Sequence, residues 1–294
     1  MIQPPRPSSQ TRVRMRAISA RQSRIREDRV ATEEPLEIRI DLGGDVRSAA
    51  VTMRTPGADF ELATGFLLAE GIIREREDVR QISYCVDPGL TAEQRYNVVT
   101  VRLAGNRPVD FDPLNRHFLI SSACGVCGKT SLDQLELQGA VPLPDGPVVP
   151  VSVLTGLPDA LRSRQRLFDS TGGLHAAALF DADGSLMAVR EDIGRHNALD
   201  KLLGWAMLDG RLPAHRGMVL VSGRASFELA QKCVAAGVPI LCAVSAPSSL
   251  AIDVARRFNL TLVGFLREDR CNVYHGSHRI QVGEADLERR NRTG

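Results

Sequence analysis

Met218-Val219-Leu220-Val221-Ser222-Gly223-Arg224 is the stretch on which the fold turns. Four consecutive apolar residues bounded by small and polar ones read as a strand buried on both faces, and such strands belong to parallel sheets. The residues after it repeat the unit. A helix is expected over Ser226–Ala236, stopping at Gly237, then a second buried strand over Pro239–Val244. A helix from about Ser248 to Phe258 and a strand over Leu260–Phe265 complete the series. Working backwards, Leu199, Leu202, Leu203, Ala206 and Met207 form an apolar stripe at helical spacing from about His196. Before it, Leu174–Phe180 and Leu186–Val189 read as strands joined by the turn Asp181-Ala182-Asp183-Gly184. Leu154 to Phe168 can be helical. A hairpin followed by alternating helices and strands implies an α/β/α sandwich with a mixed, largely parallel sheet.

In such a sheet ligands bind outside the carboxyl ends of the parallel strands. Three polar stretches are expected there: Ser222-Gly223-Arg224, Ser245 to Ser249, and Phe265-Leu266-Arg267-Glu268-Asp269-Arg270. Helix N-termini suit phosphate, arginines add forked donors, and Phe265 offers a ring for stacking. Each serine is also a candidate helix cap, and each arginine a candidate surface ion pair. No GxGxxG and no GxxxxGK[ST] pattern occurs, which argues against a standard dinucleotide or P-loop site. The charged run Arg190 to Asn197 and His175 are further candidate walls of the same site.

Upstream, Leu36–Leu42 alternates apolar and charged residues, Gly43-Gly44 turns the chain, and Arg47–Thr55 returns as a second strand. Asp59 is positioned to cap a helix that stops at Gly71, and strands are expected at Ile82–Val86 and Tyr96–Leu103. This makes a smaller N-terminal α+β domain over residues 30–120 with no catalytic constellation. Residues 1–29 hold eight arginines against Glu27 and Asp28 and no aromatic residue, a composition expected to leave a disordered basic tail, with a nucleic-acid arm or a transit peptide as the alternatives. Residues 121–150 read as a loop and linker, 151–283 as the C-terminal domain and 284–294 as a frayed tail.

Length and composition agree with this division. The 294 residues suggest about two domains, and 43% hydrophobic with 24% charged residues is ordinary for a globular protein. No apolar run approaches the roughly 20 residues that span a bilayer, and the N-terminus lacks the apolar core of a secretory signal. The net charge of +2 argues against a nucleic-acid-binding polycation. Six scattered cysteines suit a reducing, cytoplasmic setting.

The chemistry is expected at Ser121-Ser122-Ala123-Cys124-Gly125-Val126-Cys127-Gly128-Lys129. A cysteine pair this close can share a metal, exchange a disulfide, or relay sulfur as a persulfide. Structural zinc wants two such pairs, and Cys85, Cys233, Cys242 and Cys271 are isolated. Disulfide exchange of the thioredoxin type wants a βαβ setting that is not evident here. Sulfur relay wants a depressed thiol pKa and mobility, which Lys129 and the glycines favour. The residues alone leave all three uses open.

Several motifs, in order, carry a resemblance. They are Pro56 to Gly71, Cys124-Gly125-Val126-Cys127-Gly128, Thr171-Gly172-Gly173-Leu174-His175-Ala176-Ala177, Glu191 to Lys201, Ser222-Gly223-Arg224 and Asn272-Val273-Tyr274. Over about residues 30–282 the chain resembles the FdhD family of sulfur carrier proteins, which activate formate dehydrogenase. The resemblance implies a sulfurtransferase that takes persulfide sulfur from a cysteine desulfurase. It would deliver that sulfur to the molybdenum (or tungsten) bis-guanine-dinucleotide pterin cofactor. It places the persulfide on Cys124 with Cys127 assisting, and the cofactor on Phe265–Arg270. It also implies a homodimer and a cytidine-deaminase-like C-terminal domain. His175-Ala176-Ala177 lacks the Glu of the deaminase zinc motif, so that chemistry is not expected, and no resident metal is. The competing reading is a zinc-stabilised nucleotide-binding module without catalysis, which one tightly bound zinc, lost in Cys124→Ala, would favour.

Overall fold

A computed structural model describes residues 7–85, 94–105 and 139–283, with Leu132, Leu135 and Glu136 between them. The cysteine pair, residues 1–6 and the expected frayed tail lie outside the described residues.

The first element departs from expectation. Gln10–Ile18 (β1) and Ser23–Ala31 (β2) pair antiparallel as a hairpin, where composition suggests disorder to residue 29. Its alternation explains the pairing: Arg12, Arg14 and Arg16 interleave with Val13, Met15 and Ala17, the period of a strand. The Ser19 amide closes the loop onto the Gln22 carbonyl at 2.9 Å, and the Gln10 side-chain amide donates to the Ser170 hydroxyl at 2.7 Å.

Glu34–Leu42 (β3), Asp45–Arg54 (β4), Val79–Tyr84 (β5) and Val98–Leu103 (β6) form a four-stranded sheet in the order β4-β3-β6-β5, with β3 and β6 parallel. Asp59–Ala69 (α1) covers it. The expected cap at Asp59 is not made. Ala58 holds the N-cap position in a left-handed conformation, and the buried Asp59 carboxylate instead takes two hydrogen bonds from buried Arg54, each 3.1 Å. A buried guanidinium outbids helix capping because it is the costlier group to leave unpaired.

The C-terminal part follows the expected alternation. The short strand β7 (Val149–Pro150) leads into α2 (Val151–Arg162), and α3 (Arg166–Thr171) follows; the single helix expected over 154–168 is two. Then come β8 (His175–Phe180), β9 (Leu186–Asp192), α4 (Arg195–Leu208), β10 (Met218–Val221), α5 (Phe227–Ala235), β11 (Ile240–Ala243), α6 (Ser249–Arg257) and β12 (Thr261–Gly264). An added edge strand, β13 (Asn272–His275), gives a six-stranded mixed sheet ordered β13-β12-β11-β10-β8-β9, in which β10, β11 and β12 are parallel. A last strand, β14 (Ile280–Gln281), pairs with β7. The proline-rich residues 141–150 are mostly exposed but are anchored at buried Leu143 and Val149, so they are not a free linker. The Leu143 amide donates to the Phe258 carbonyl, and buried Arg279 donates to the Pro144 carbonyl at 2.9 Å.

Helix α2 packs through Leu154, Leu157 and Leu161 on one face of the large sheet. The other face shares a single apolar cluster with α4, α5, α6, α1 and the four-stranded sheet. Helices α1 and α4 meet through glycines: a Cβ on Gly65 would overlap the Asp200 carbonyl, and one on Gly204 the Glu61 carbonyl. No helix among the described residues is long and apolar enough to cross a membrane.

Candidate functional site at the carboxyl edge of the large sheet

Because β10 runs antiparallel to β8, the carboxyl end of β10 lies beside the start of β8. That pairing brings Ser222 and Gly223 to His175. The Ser222 amide donates to the Ala176 carbonyl and its hydroxyl accepts from the Ala176 amide, each at 2.9 Å. Gly223 lies close to the imidazole: a Cβ there would be 3.4 Å from His175 Nδ1 and 4.0 Å from Arg195 Cδ. A cleft of about 630 Å³ opens here towards α2 and α3, lined by His175, Ser222, Val244, Gly173, Phe168 and Gln165 among others. Apolar walls with a few convergent polar groups are what small-molecule sites present.

Burial lowers the His175 pKa below its usual value, and the Arg195 and His196 charges lower it further. At neutral pH the ring is therefore an uncharged donor and acceptor. Its neighbours supply the positive charge. Arg195 opens α4, and its Nε is buried with no hydrogen-bond partner among the described residues. The N-terminus of α4 at Gly194 lacks a side-chain cap, whereas the first turn of α5 is filled by Glu228, whose carboxylate accepts from its own backbone amide and from the Ser226 hydroxyl. His196 Nε2 lies 3.3 Å from the Ser226 hydroxyl and 3.6 Å from Glu228, and it holds the Glu228 carboxyl down to about 2.

The remaining expected residues divide. Arg224 is exposed beside Gly223. Ser248 is a cap, its hydroxyl accepting from the Ala251 amide at 3.2 Å. Phe265 is exposed and left-handed at φ 51°, its amide donating to the Ser245 carbonyl. Leu266 is fully buried in the α2-side core, so its side chain packs the sheet and does not face a ligand. Arg267, Glu268, Asp269 and Arg270 are all exposed in a turn closed by the Arg267 amide on the Arg270 carbonyl. Two carboxylates there offset two guanidiniums, so the turn brings no net positive charge. None of residues 265–270 lines the His175 cleft. Cys124 and Cys127 lie outside the described residues.

Much of the Arg190–Asn197 run is structural. Arg190 pairs with Glu61 and stacks over Trp205, and the Glu191 carboxylate accepts the Leu167 and Phe168 amides at the start of α3. Asp192 forms a buried ion pair with Lys201 at 2.6 Å. Sequence reasoning places this run near the site but misses the Asp192–Lys201 pair; two opposite charges nine residues apart across a helix start are the available signal. Among the described residues no three His, Cys, Asp or Glu side chains converge as a metal-ligand set.

Comparison with known proteins follows the same geography. A protein from Mycolicibacterium paratuberculosis named Sulfur carrier protein FdhD is 52% identical over 92% of this chain and 98% of its own. Namesakes from Nocardia farcinica and Streptomyces coelicolor are 54% and 50% identical, over 87% and 93% of this chain and 89% and 95% of theirs. A crystal structure from Desulfotalea psychrophila, of a protein described as a putative formate dehydrogenase accessory protein, superposes with a TM-score of 0.71 at 25% identity, covering 92% of this chain and 99% of that one. The FdhD/NarQ family model matches residues 31–281, a span that takes in both sheets, the His175 cleft and the cysteine pair, and the chain belongs to that family.

Proposed function

We propose that this chain is a sulfur carrier that serves formate dehydrogenase from the cytoplasm. The observation that carries the proposal is the family match over residues 31–281, which includes Cys124-Gly125-Val126-Cys127, together with close relatives named as sulfur carriers. In this reading the Cys124 thiolate attacks the terminal sulfur of a persulfide on a cysteine desulfurase. The donor's S–S bond breaks, its cysteine leaves as thiolate, and Cys124 keeps the sulfur as a persulfide. No electrons are gained or lost overall. Release of that sulfur as sulfide needs two electrons. Attack by the Cys127 thiolate on the Cys124 sulfur supplies them, leaving a Cys124–Cys127 disulfide that a cellular thiol reduces.

The substrate that receives the sulfur is the molybdenum bis-guanine-dinucleotide pterin cofactor. The uncapped start of α4, with Arg195 and Arg224, suits its phosphates. The His175 cleft, with Phe168 and Val244 in its walls, suits a planar ring. The exposed side chains of Phe265, Arg267, Glu268, Asp269 and Arg270 are the outer contact. The sandwich is read as cytidine-deaminase-like, and the protein as a homodimer.

The test is intact-mass measurement after incubation with a purified cysteine desulfurase and cysteine. The wild-type chain gains ~32 Da on Cys124. A wild-type protein without that adduct, or a Cys124→Ala variant that gains it equally, overturns the assignment. For the outer contact, Arg267→Ala is expected to weaken GDP binding about fivefold, the loss of one exposed charged hydrogen bond. Calorimetry showing unchanged affinity removes Arg267 from the site.

A further inference from the structure

The β1–β2 hairpin stands outside the family match, which begins at residue 31, and the cleft chemistry does not use it. An isolated two-stranded ribbon is only marginally stable in water, and like charges directly opposite each other weaken it further. This ribbon nonetheless sets Arg12 opposite Arg29. The register puts Arg12, Arg14, Arg16, Ile18, Ile25, Glu27 and Arg29 on one face, every one of them exposed. None of these arginines has an ion-pair partner among the described residues. Residues 10–31 carry seven arginines against two acids in a chain of net charge +2, so the rest of the chain is net acidic. Arg14 faces Glu27, but Arg12 faces a like charge and Arg16 an isoleucine, so the stability of the ribbon does not account for the whole row.

The ribbon's composition selects among anionic partners. At its tip the same face exposes two isoleucines, Ile18 at 76% and Ile25 at 52%. Residues 10–31 contain no aromatic side chain to stack on an unpaired base. Arginine is enriched in protein–protein contacts, and here exposed isoleucines accompany it. The ribbon is also tied to the cleft. Gln10 bonds Ser170 on α3, and Phe168 of the same helix is a cleft wall.

We propose that the 10–31 hairpin is a docking arm for an acidic surface on the protein that donates sulfur. This rests on the sulfur-carrier reading. There the acceptor enters the cleft as a small molecule, whereas the donor carries its sulfur on a protein, so loading Cys124 requires a protein–protein contact. Opposite charge across the contact steers the encounter and makes it salt-dependent.

The experiment uses the full chain and a purified cysteine desulfurase. Binding is measured by biolayer interferometry at about 50 and 300 mM salt, for wild type, an Arg12→Glu/Arg14→Glu/Arg16→Glu variant and the matching Lys variant. The Glu variant is expected to bind at least about tenfold more weakly at low salt. Wild type weakens with salt, and the Lys variant keeps most of the affinity because it keeps the charge. Unchanged melting temperatures show that the fold is intact. Sulfur loading is then timed from the desulfurase and from glutathione persulfide: the Glu variant slows only with the protein donor. Equal desulfurase binding by wild type and Glu variant, or no binding by wild type, overturns the docking arm. So does equal slowing with both donors, or arginine-dependent retention of duplex DNA in place of the desulfurase, or an effect traced to self-association by light scattering. Wild type that binds the desulfurase through the hairpin but takes sulfur from neither donor overturns the sulfur-carrier reading and leaves the arm standing.

Discussion

Gly204→Ala is expected to cost at least about 3 kcal/mol of stability, enough to send much of the protein to the insoluble fraction. Alanine is the better helix former by about 1 kcal/mol, so propensity alone predicts a gain. Packing reverses the sign. A Cβ on Gly204 would overlap the Glu61 carbonyl and stand 2.7 Å from the Gly65 amide nitrogen, both backbone atoms of α1 that cannot rotate away. The two helices would have to part, opening the core that both sheets share. Gly156→Ala is the control. Gly156 lies inside α2, where an added methyl would meet nothing within 4 Å and the backbone is not left-handed. The same change there is expected to stabilise by up to about 1 kcal/mol. Denaturant unfolding of both variants reads the two signs. A Gly204→Ala protein as stable as wild type would mean that α1 and α4 are not in close contact in solution.

Asp192→Ala is the second large effect, at about 3–5 kcal/mol. The fully buried Asp192 carboxylate accepts from the Thr55 amide at 3.1 Å, the Gly194 amide at 2.9 Å and the Asn197 side chain at 3.2 Å, besides pairing with Lys201. Truncation leaves the Lys201 ammonium buried with the carbonyls of Thr55 and Glu191 but no counter-charge. The remaining charge, more than the lost contact, sets the penalty. Adding Lys201→Met to Asp192→Ala should therefore recover part of the loss, because the stranded charge goes with it. Urea midpoints for the single and double variants decide the matter: a double variant no more stable than Asp192→Ala alone would show that the lost amide contacts dominate. Asp192 also orients the start of α4, so GDP affinity should fall in the single variant even where it remains folded.

These effects show which parts of the molecule are legible in sequence. The order of β10, α5, β11, α6 and β12 is readable because each strand is a short unbroken apolar run and each helix ends in its own punctuation, as at Gly237. Edge strands are not readable in this way. Asn272–His275 is half exposed and only four residues long, so it carries no run to see. The arginine hairpin reads wrongly as a tail because composition outweighs its period-two alternation, although the alternation is present in Arg12, Arg14 and Arg16. At the candidate site the sequence locates Ser222, Gly223 and His175 at the carboxyl edge. It cannot separate Phe265 from Leu266, because only the folded chain shows the left-handed turn at Phe265 that leaves its ring outside and sends Leu266 into the core. Asp59 and Asp192 are similarly hidden: a carboxylate near a helix start reads as a cap until a buried cation is found beside it.

The glycine contact between α1 and α4 bears on how the chain behaves as a whole. Sequence punctuation divides it into an N-terminal and a C-terminal part, yet each part covers a helix face of the other. Neither half is then a free-standing module. Heat or denaturant should meet one cooperative unit, with no stable half-unfolded species, and a fragment carrying only the large sheet would expose the apolar side of α4 to water.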